Sequence, residues 1–345
     1  MIKIDGSQGE GGGQIIRSSL ALSVVTQTPI SISNIRAGRK KSGLKKQHVT
    51  CVRAAAEICE GKVTGDQLNS SSLTFEPGAI KPGDYSFEVG TAGSTSLVAQ
   101  TVLPALMLAT EPSTVAFSGG THNPWAPPFH FLTKAFFPQL EKMGPRVAAD
   151  LISYGFFPAG GGKFSITIQP QHELTGLELI ERGCKKPTPR VRAVVANLPS
   201  DIGVRECDVI RRKMSWTESC CEVIELQDSV GTGNVVMIEL HSPNVTELMI
   251  GIGQRGVAAE QVARSVVREA KAYLASDVPV GQYLADQLMM PMGLAASQGH
   301  TSRFRTGPLS LHSKTHIDVL QTFLPIAAEV QEESKDCFVV KFAPK

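Results

Sequence analysis

The chain has 345 residues, of which 42% are hydrophobic and 19% are charged, and its formal net charge is only +2. This composition excludes fibrous, disordered and disulfide-dense proteins, and it provides material for one large domain and one smaller domain. The seven cysteines include no C-x-x-C pair, so neither a disulfide framework nor a zinc site is indicated. There is no run of about 18 uncharged apolar residues and no signal-peptide pattern, so we expect a cytoplasmic protein that does not associate with membranes.

A glycine-rich loop near the start of the chain, at 9–14, places one carboxylate among glycines directly before the apolar run at 15–22. Glycines let backbone N–H groups approach a ligand, and the start of a helix favours anions. A carboxylate at that place would repel a phosphate unless a divalent cation lay between them. The pattern indicates a phosphate site with a metal ligand at Glu10, although a plain strand-to-helix turn would read the same way.

The next segment is strongly basic. It contains no Asp or Glu from Gly11 to Ala56, and its cations are Arg17, Arg36, Arg39, Lys40, Lys41, Lys45, Lys46 and Arg53. Because the whole chain is nearly neutral, this is a concentrated patch that suits a phosphorylated end better than a long duplex. Arg36 and Arg39 flank a turn-like Ala-Gly pair, where two planar guanidinium groups could converge on one phosphate. The alternative is a solvated face of lysines.

Two later segments match each other. Both 100–109 and 287–296 begin with Gln, carry Pro four residues later and continue into an apolar tail, and the segment after the glycine loop is a looser third copy. The sequence therefore predicts three repeated units. Second helices are expected at 45–60, 129–143 and 316–331, and strands at 72–75, 163–168 and 337–342. Together they predict a large domain formed by 1–181 and 279–345.

The segment 182–278 breaks this pattern. It reads as strand 191–197, helix 202–214, strands 221–226, 235–240 and 247–252, and helix 257–275. That order can form a compact α+β domain, so we interpret the segment as an insertion. The last helix carries apolar residues at helical spacing, which predicts a core-facing stripe and a solvated charged face.

Several motifs occur in an order that resembles one known family. They are Gly-Ser-Gln-Gly-Glu-Gly-Gly-Gly-Gln at 6–14, Arg-Ala-Gly-Arg at 36–39 with Gln47-His48, Pro-Ala-Gly-Gly-Gly at 158–162, and Tyr-Leu-Ala-Asp-Gln at 283–287. Nearly end to end, the chain resembles the RNA 3′-terminal phosphate cyclase family. The resemblance implies an α+β fold with three repeated two-helix, four-strand units and a smaller inserted α+β domain. It also implies ATP-dependent conversion of RNA 3′-phosphate ends into 2′,3′-cyclic phosphates, with such an RNA as the partner.

In that family a histidine near the C-terminus attacks the α-phosphate of ATP and becomes covalently adenylylated, and the AMP then passes to the RNA 3′-phosphate. The matching position is His312. Imidazole suits this role because it is neutral and nucleophilic near pH 7. A structural histidine is one alternative. A metal pair with His316 at i, i+4 is another, but Ser313 stands where a zinc protease helix would have Glu. The role of His316 stays open.

The remaining roles are implied by the resemblance position by position. Glu10 matches the metal-binding carboxylate, with Mg²⁺ or Mn²⁺ as the ion. The positions that match the set near the phosphates and the RNA end are Arg17, Arg36, Arg39, Gln47 and His48. The positions that match the nucleotide pocket are Gln100, Pro127, Tyr283, Leu284, Ala285, Asp286 and Gln287. One departure is Tyr154, where the family usually has His or Arg.

Three other functions fit parts of the pattern. A catalytically silent scaffold for RNA processing would share the fold and the basic patch, but His312 argues against it. An enolpyruvyl transferase resembles the repeated architecture, yet it needs neither a nucleotide pocket nor a nucleophilic histidine. A plain module that binds RNA ends is the third. No general base for the final cyclisation step is evident in the sequence.

Overall fold

Four separate four-stranded sheets organise the chain in the computed structural model, which describes residues 1–345. Each sheet is accompanied by helices, and the α+β class expected from the sequence is confirmed. No helix has both the length and the apolar character needed to cross a membrane.

The first sheet is formed by the N-terminal segment and has the order β1-β2-β4-β3. Its elements are β1 (Ile2–Asp5), α1 (Gly13–Thr26), β2 (Ile30–Ser33), α2 (Lys46–Glu57), β3 (Lys62–Thr64) and β4 (Leu73–Glu76). β1 and β2 are parallel, whereas β4 is antiparallel to both of its neighbours. The glycine-rich loop connects β1 to α1, and its position fixes the start of that helix.

The second sheet repeats this arrangement with the order β5-β6-β8-β7. Its elements are β5 (Asp84–Glu88), α3 (Thr95–Leu106), β6 (Ser113–Gly119), α4 (Phe129–Phe131), α5 (Phe137–Glu141), β7 (Arg146–Ser153) and β8 (Gly162–Gln169). A short π-helical segment, Leu132–Phe136, joins α4 to α5 into one helical stretch. The inner face is aromatic: the Phe117 and Phe164 rings stack with their centroids 4.8 Å apart.

The third sheet is split in sequence. Its first strand, β9 (Glu178–Leu179), pairs in parallel with β14 (Ser302–Thr306), although the two are separated by the whole inserted segment. The sheet order is β15-β16-β14-β9. The other elements are α8 (Gln282–Ser297), α9 (Leu311–Phe323), β15 (Ile326–Ser334) and β16 (Cys337–Pro344). All three sheets therefore share the chain order strand, helix, strand, helix, strand, strand.

The inserted segment forms the fourth sheet, with the order β11-β10-β12-β13. Its elements are β10 (Thr188–Ala196), α6 (Asp201–Met214), β11 (Cys221–Leu226), β12 (Gly233–His241), β13 (Thr246–Ile252) and α7 (Ala259–Ser276). The two helices pack on the sheet around a hydrophobic cluster of their own. The first and last residues of the inserted segment lie next to each other. Arg182 Nε donates a hydrogen bond to the Val278 carbonyl at 2.8 Å. The domain boundaries at 182 and 278 stay a prediction.

One predicted helix is wrong over its second half. We expect helix at 316–331, but α9 begins at Leu311 and ends at Phe323, and β15 follows from Ile326. Pro325 cannot donate the next helical hydrogen bond, and the residues after it pair antiparallel with β16, as Val330 does with Val340. The earlier start places His312 in the first turn of α9.

Candidate active site

A cavity of about 770 Å³ opens where the helices of the three sheets meet the inserted unit. The ends of α1, α3, α8 and α9 form one side, and β13 and α7 form the other. Seven of the candidate residues line this cavity: Arg17, Gln100, Pro127, Tyr283, Asp286, Gln287 and His312. The structure therefore collects side chains that lie up to 295 positions apart in sequence, from Arg17 to His312.

His312 lies beside a carboxylate in this cavity. Its Nδ1 atom is 3.0 Å from Asp286 Oδ2, and the side chains are 34% and 11% exposed, respectively. The contact is at ion-pair distance, although the ring N–H is not aligned for a linear hydrogen bond. A negative charge next to Nδ1 favours the proton on that nitrogen, so the lone pair is left on Nε2. An imidazole with this proton placement can act as a nucleophile through Nε2.

The start of α9 explains why these groups are held in place. Ser310 is the N-cap, and its Oγ accepts a 3.0 Å hydrogen bond from the backbone N–H of Ser313. The Ser313 hydroxyl in turn donates to Asp286 Oδ1. An N-cap serine favours helix initiation at this point, so the cap fixes both His312 and the carboxylate that orients it.

His316 lies one turn beyond His312 and also lines the cavity. It is almost fully buried, and neither ring nitrogen has a hydrogen-bond partner in the protein. Burial lowers its pKa to about 4, so the ring is neutral at pH 7. No group of three or more His, Cys, Asp or Glu side chains is arranged to hold a metal ion.

Arg17 is a cation without an acidic partner. Burial lowers the pKa of its guanidinium, yet no carboxylate lies within 4.0 Å of it, and it lines the cavity. A side chain on Gly13 would lie 2.9 Å from Arg17 Nη1 and 2.5 Å from His48 Nε2, so only glycine fits between the two groups. A desolvated cation of this kind is stabilised by an anionic ligand.

His48 contributes a neutral donor at the same place. Its Nδ1 accepts the backbone N–H of Lys45 at 3.0 Å, which places the ring proton on Nε2. Burial, together with the nearby Arg17, Arg36 and Lys45 cations, lowers its pKa to about 3. The Nε2–H group and the N-terminus of α1, which has no side-chain cap, therefore both offer donors beside Gly13.

The glycine-rich loop is anchored to α9. The backbone N–H of Glu10 donates to Thr315 Oγ1 at 3.1 Å, and the Glu10 carboxylate forms an ion pair with Arg39. The sequence predicts Glu10 as a metal ligand and Arg39 as a residue near the phosphates and the RNA end, and here the two side chains neutralise each other. A single carboxylate oxygen donor suits Mg²⁺ or Mn²⁺ only as one ligand among phosphate and water oxygens.

Most residues predicted for the nucleotide pocket also line the cavity, but two of the expected side chains do not. Gln100 Nε2 donates to Gln287 Oε1, so the two matching segments meet through their first residues. Tyr283 is 59% exposed at the cavity rim. Leu284 and Ala285 instead point into the hydrophobic core, so their side chains do not line the cavity.

The start of α8 is held by the inserted unit. The backbone N–H of Gly281, the N-cap, donates to Glu247 Oε1 on β13 at 2.6 Å. Burial raises the pKa of Glu247 to about 7. This contact positions the helical turn that carries Tyr283 and Asp286.

The remaining candidates lie outside the cavity. Arg36 Nη1 donates to the carbonyls of Lys41 (2.8 Å) and Gly43 (3.0 Å), so this guanidinium closes its own loop. Gln47 Oε1 accepts the backbone N–H of Ser94 at 3.3 Å and connects α2 to the loop before α3. Both residues shape the surface next to the site.

Sequence reasoning missed one complete wall of the cavity. The inserted unit supplies apolar residues of β13, from Leu248 to Ile252, and a polar row on α7. That row is Gln261, Ser265 and Glu269, spaced four apart, and such spacing marks a single helix face. The signal was present in the sequence, but it resembles an ordinary solvated face.

These features are typical of an enzyme that binds phosphorylated ligands. The sequence profile of the family described as RNA 3′-terminal phosphate cyclase matches residues 8–330. The chain is 46% identical over 333 residues to the RNA 3′-terminal phosphate cyclase of Koribacter versatilis (strain Ellin345), covering 96% of this chain and 92% of the relative.

Two Salmonella proteins of the same name give similar matches. The protein of Salmonella agona (strain SL483) is 44% identical over 334 residues, and that of Salmonella paratyphi C (strain RKS4594) is 44% identical over 332 residues. In both cases the match covers 96% of this chain and 94% of the relative. The chain belongs to the RNA 3′-terminal phosphate cyclase family, and the resemblance found in the sequence is confirmed.

Proposed function

We propose that this protein uses ATP to convert RNA 3′-phosphate ends into 2′,3′-cyclic phosphates, through a histidine–AMP intermediate on His312 and an RNA-adenylate. The observation that carries the proposal is the 3.0 Å contact between His312 Nδ1 and Asp286 in a cavity that also exposes the unpaired Arg17. An oriented imidazole beside an unsatisfied cation is suited to attack on a phosphate.

In the first step, His312 Nε2 attacks the α-phosphorus of ATP, a P–N bond forms, and the bond to the bridging oxygen breaks to release pyrophosphate. Positive charge then develops on the imidazole, and Asp286 stabilises it from the Nδ1 side. Negative charge on the phosphorus oxygens faces Arg17, the His48 Nε2–H group and the N-terminus of α1, which supply fixed donors and positive charge.

In the second step, an oxygen of the RNA 3′-phosphate attacks the same phosphorus, the P–N bond breaks, and His312 is released. The vicinal 2′-hydroxyl then attacks the RNA phosphorus and displaces AMP, and its proton passes to solvent. This last step is intramolecular, and well-oriented intramolecular reactions reach effective molarities of about 10⁵ M or more. Such a step requires positioning more than a strong base.

Glu10 is the residue that would hold a divalent metal in this proposal. Its oxygen donor and its place in the loop before α1 suit Mg²⁺ or Mn²⁺, with the other ligands provided by phosphate and water oxygens. When bound, the ion supplies positive charge to the phosphate oxygens. Arg39 would have to leave the Glu10 carboxylate, and it would then be free to meet the RNA phosphate.

Incubation with α-³²P-labelled ATP and Mn²⁺ tests the proposal. We expect acid-labile, alkali-stable label on the protein, because phosphoramidates have this stability, and we expect no label on His312→Ala. His300→Ala is the matched control, since His300 pairs with Glu173 away from the cavity. Label that maps to His316 or Lys314 would contradict the assignment. A native protein that binds RNA ends without becoming labelled would point to a scaffold or an end-binding module.

A further inference from the structure

The cavity rim carries an exposed aromatic side chain that the proposed chemistry does not use. Trp125 is 94% exposed, the highest fraction among the large hydrophobic residues of the chain. Its backbone is in the left-handed region, with φ of 62°, which a bulky residue rarely adopts. Single exposed apolar residues are common, so the position and the support of this residue decide whether it has a function.

The loop that carries Trp125 is closed and stiff. At its base the Phe129 N–H donates to the Thr121 carbonyl at 3.0 Å, and Asn123 Nδ2 donates to the Ala92 carbonyl at 2.5 Å. Three prolines, at 124, 127 and 128, restrict the backbone on both sides of the tryptophan. The backbone that presents the ring outward therefore loses little conformational freedom when a ligand stacks on the ring.

The loop lines the cavity and is also connected, through the residues before α3, to the start of α2. Ala92, which anchors Asn123, belongs to the same short connection as Ser94, which binds Gln47 at the start of α2. Lys40, Lys41 and Lys46, near that end of α2, have no acidic partner within 4.0 Å. An RNA strand bound to these cations with its 3′ end in the cavity can therefore reach the Trp125 loop, which lines the cavity.

We propose that Trp125 is a stacking platform for an unpaired base of the RNA, close to its 3′ end. The inference rests on the proposed function, because it assumes that an RNA end enters this cavity. Indole stacks on any base without reading its identity, and removing one such contact weakens binding of a single strand by about 5- to 150-fold. The adenine of ATP is the competing occupant, and Tyr283 and Pro127, which also line the cavity, are the positions that match the family's nucleotide pocket.

A single-tryptophan protein allows a direct test of stacking. The chain has two tryptophans, and the other, Trp216, packs partly buried on the inserted unit. In a Trp216→Phe protein, all tryptophan fluorescence reports on Trp125. We expect a single-stranded oligonucleotide with a 3′-phosphate to quench it, and the same oligonucleotide with abasic sites in its last two positions to quench it much less. Quenching by a non-hydrolysable ATP analogue but not by RNA would overturn the proposal.

Steady-state kinetics provide a second test of the stacking proposal. Trp125→Ala should raise the KM for single-stranded RNA about 5- to 150-fold, while Trp125→Phe should keep most of the affinity because the ring remains. Ile152→Ala is the control, since Ile152 is exposed on β7 and does not line the cavity. An unchanged KM in Trp125→Ala would refute the platform. Loss of labelling by ATP in the parent protein would instead refute the proposed function, so the two failures are distinguishable.

Discussion

The contact between His312 and Asp286 makes a quantitative prediction for Asp286→Asn. Two unit charges 3.0 Å apart attract by about 5 kcal/mol at an effective dielectric constant of ~20. His312 is one-third exposed, so solvent screens this attraction to roughly half. The attraction arises only when the imidazole becomes positive, in and after the transition state, so its loss should slow adenylylation about 10²-fold.

Single-turnover labelling at saturating ATP measures this rate directly. The nucleotide dissociation constant should change much less than the rate, because neutral His312 attracts the carboxylate only weakly. Ser313→Ala is a graded comparison: it removes the hydroxyl that donates to Asp286 Oδ1 but leaves the charge, so its rate should fall less. A normal single-turnover rate in Asp286→Asn would refute the idea that the carboxylate activates His312.

Four further predictions concern groups around the site. Arg39→Ala should slow cyclisation roughly 10²-fold and more than it slows adenylylation, and equal losses in the two assays would place Arg39 on ATP instead. Arg36→Ala should impair cyclisation through its loop, with raised proteolytic cleavage near 36–43 as the marker. Glu10→Gln should shift the Mn²⁺ midpoint of adenylylation to higher concentration, whereas superimposable titrations would exclude Glu10 as a metal ligand. Burial raises the pKa of Glu247 to about 7, so the folded state holds a proton that the unfolded state loses near 4.5. Stability should therefore fall as pH rises from about 4.5 to 7, and Glu247→Gln should flatten this part of a denaturation series.

Local signals in the sequence were enough to predict the class of fold and to select several residues that line one cavity. The matching positions of Gln100 and Gln287 relate two helices that do meet in the structure. The glycine-rich loop before an apolar run indicates a helix N-terminus, and α1 begins at Gly13. Turns and helix ends can be predicted from a few consecutive residues, because backbone freedom and helix capping depend on residues that are neighbours in sequence.

What could not be predicted depends on contacts between distant residues. Asp286 reads as a nucleotide ligand in its own motif, and only the packing of α8 against α9 brings it to His312. The ion pair between Glu10 and Arg39 likewise joins two motifs that were assigned to different ligands. The helix predicted at 316–331 fails because strand pairing with β16 outweighs local helical spacing after Pro325.

The division of the third sheet by the inserted unit has a consequence for how the protein is made. Glu178 pairs with Arg303, so β9 emerges from the ribosome 125 residues before its partner strand. Pairing at such a separation raises the contact order and is entropically slow, whereas the first two sheets close from nearby residues. His312, the proposed nucleophile, lies in the part synthesised last, on a helix that packs against α1 from the part synthesised first. A nascent chain therefore has the basic segment and the glycine-rich loop long before it has His312, the residue for which we propose the first chemical step.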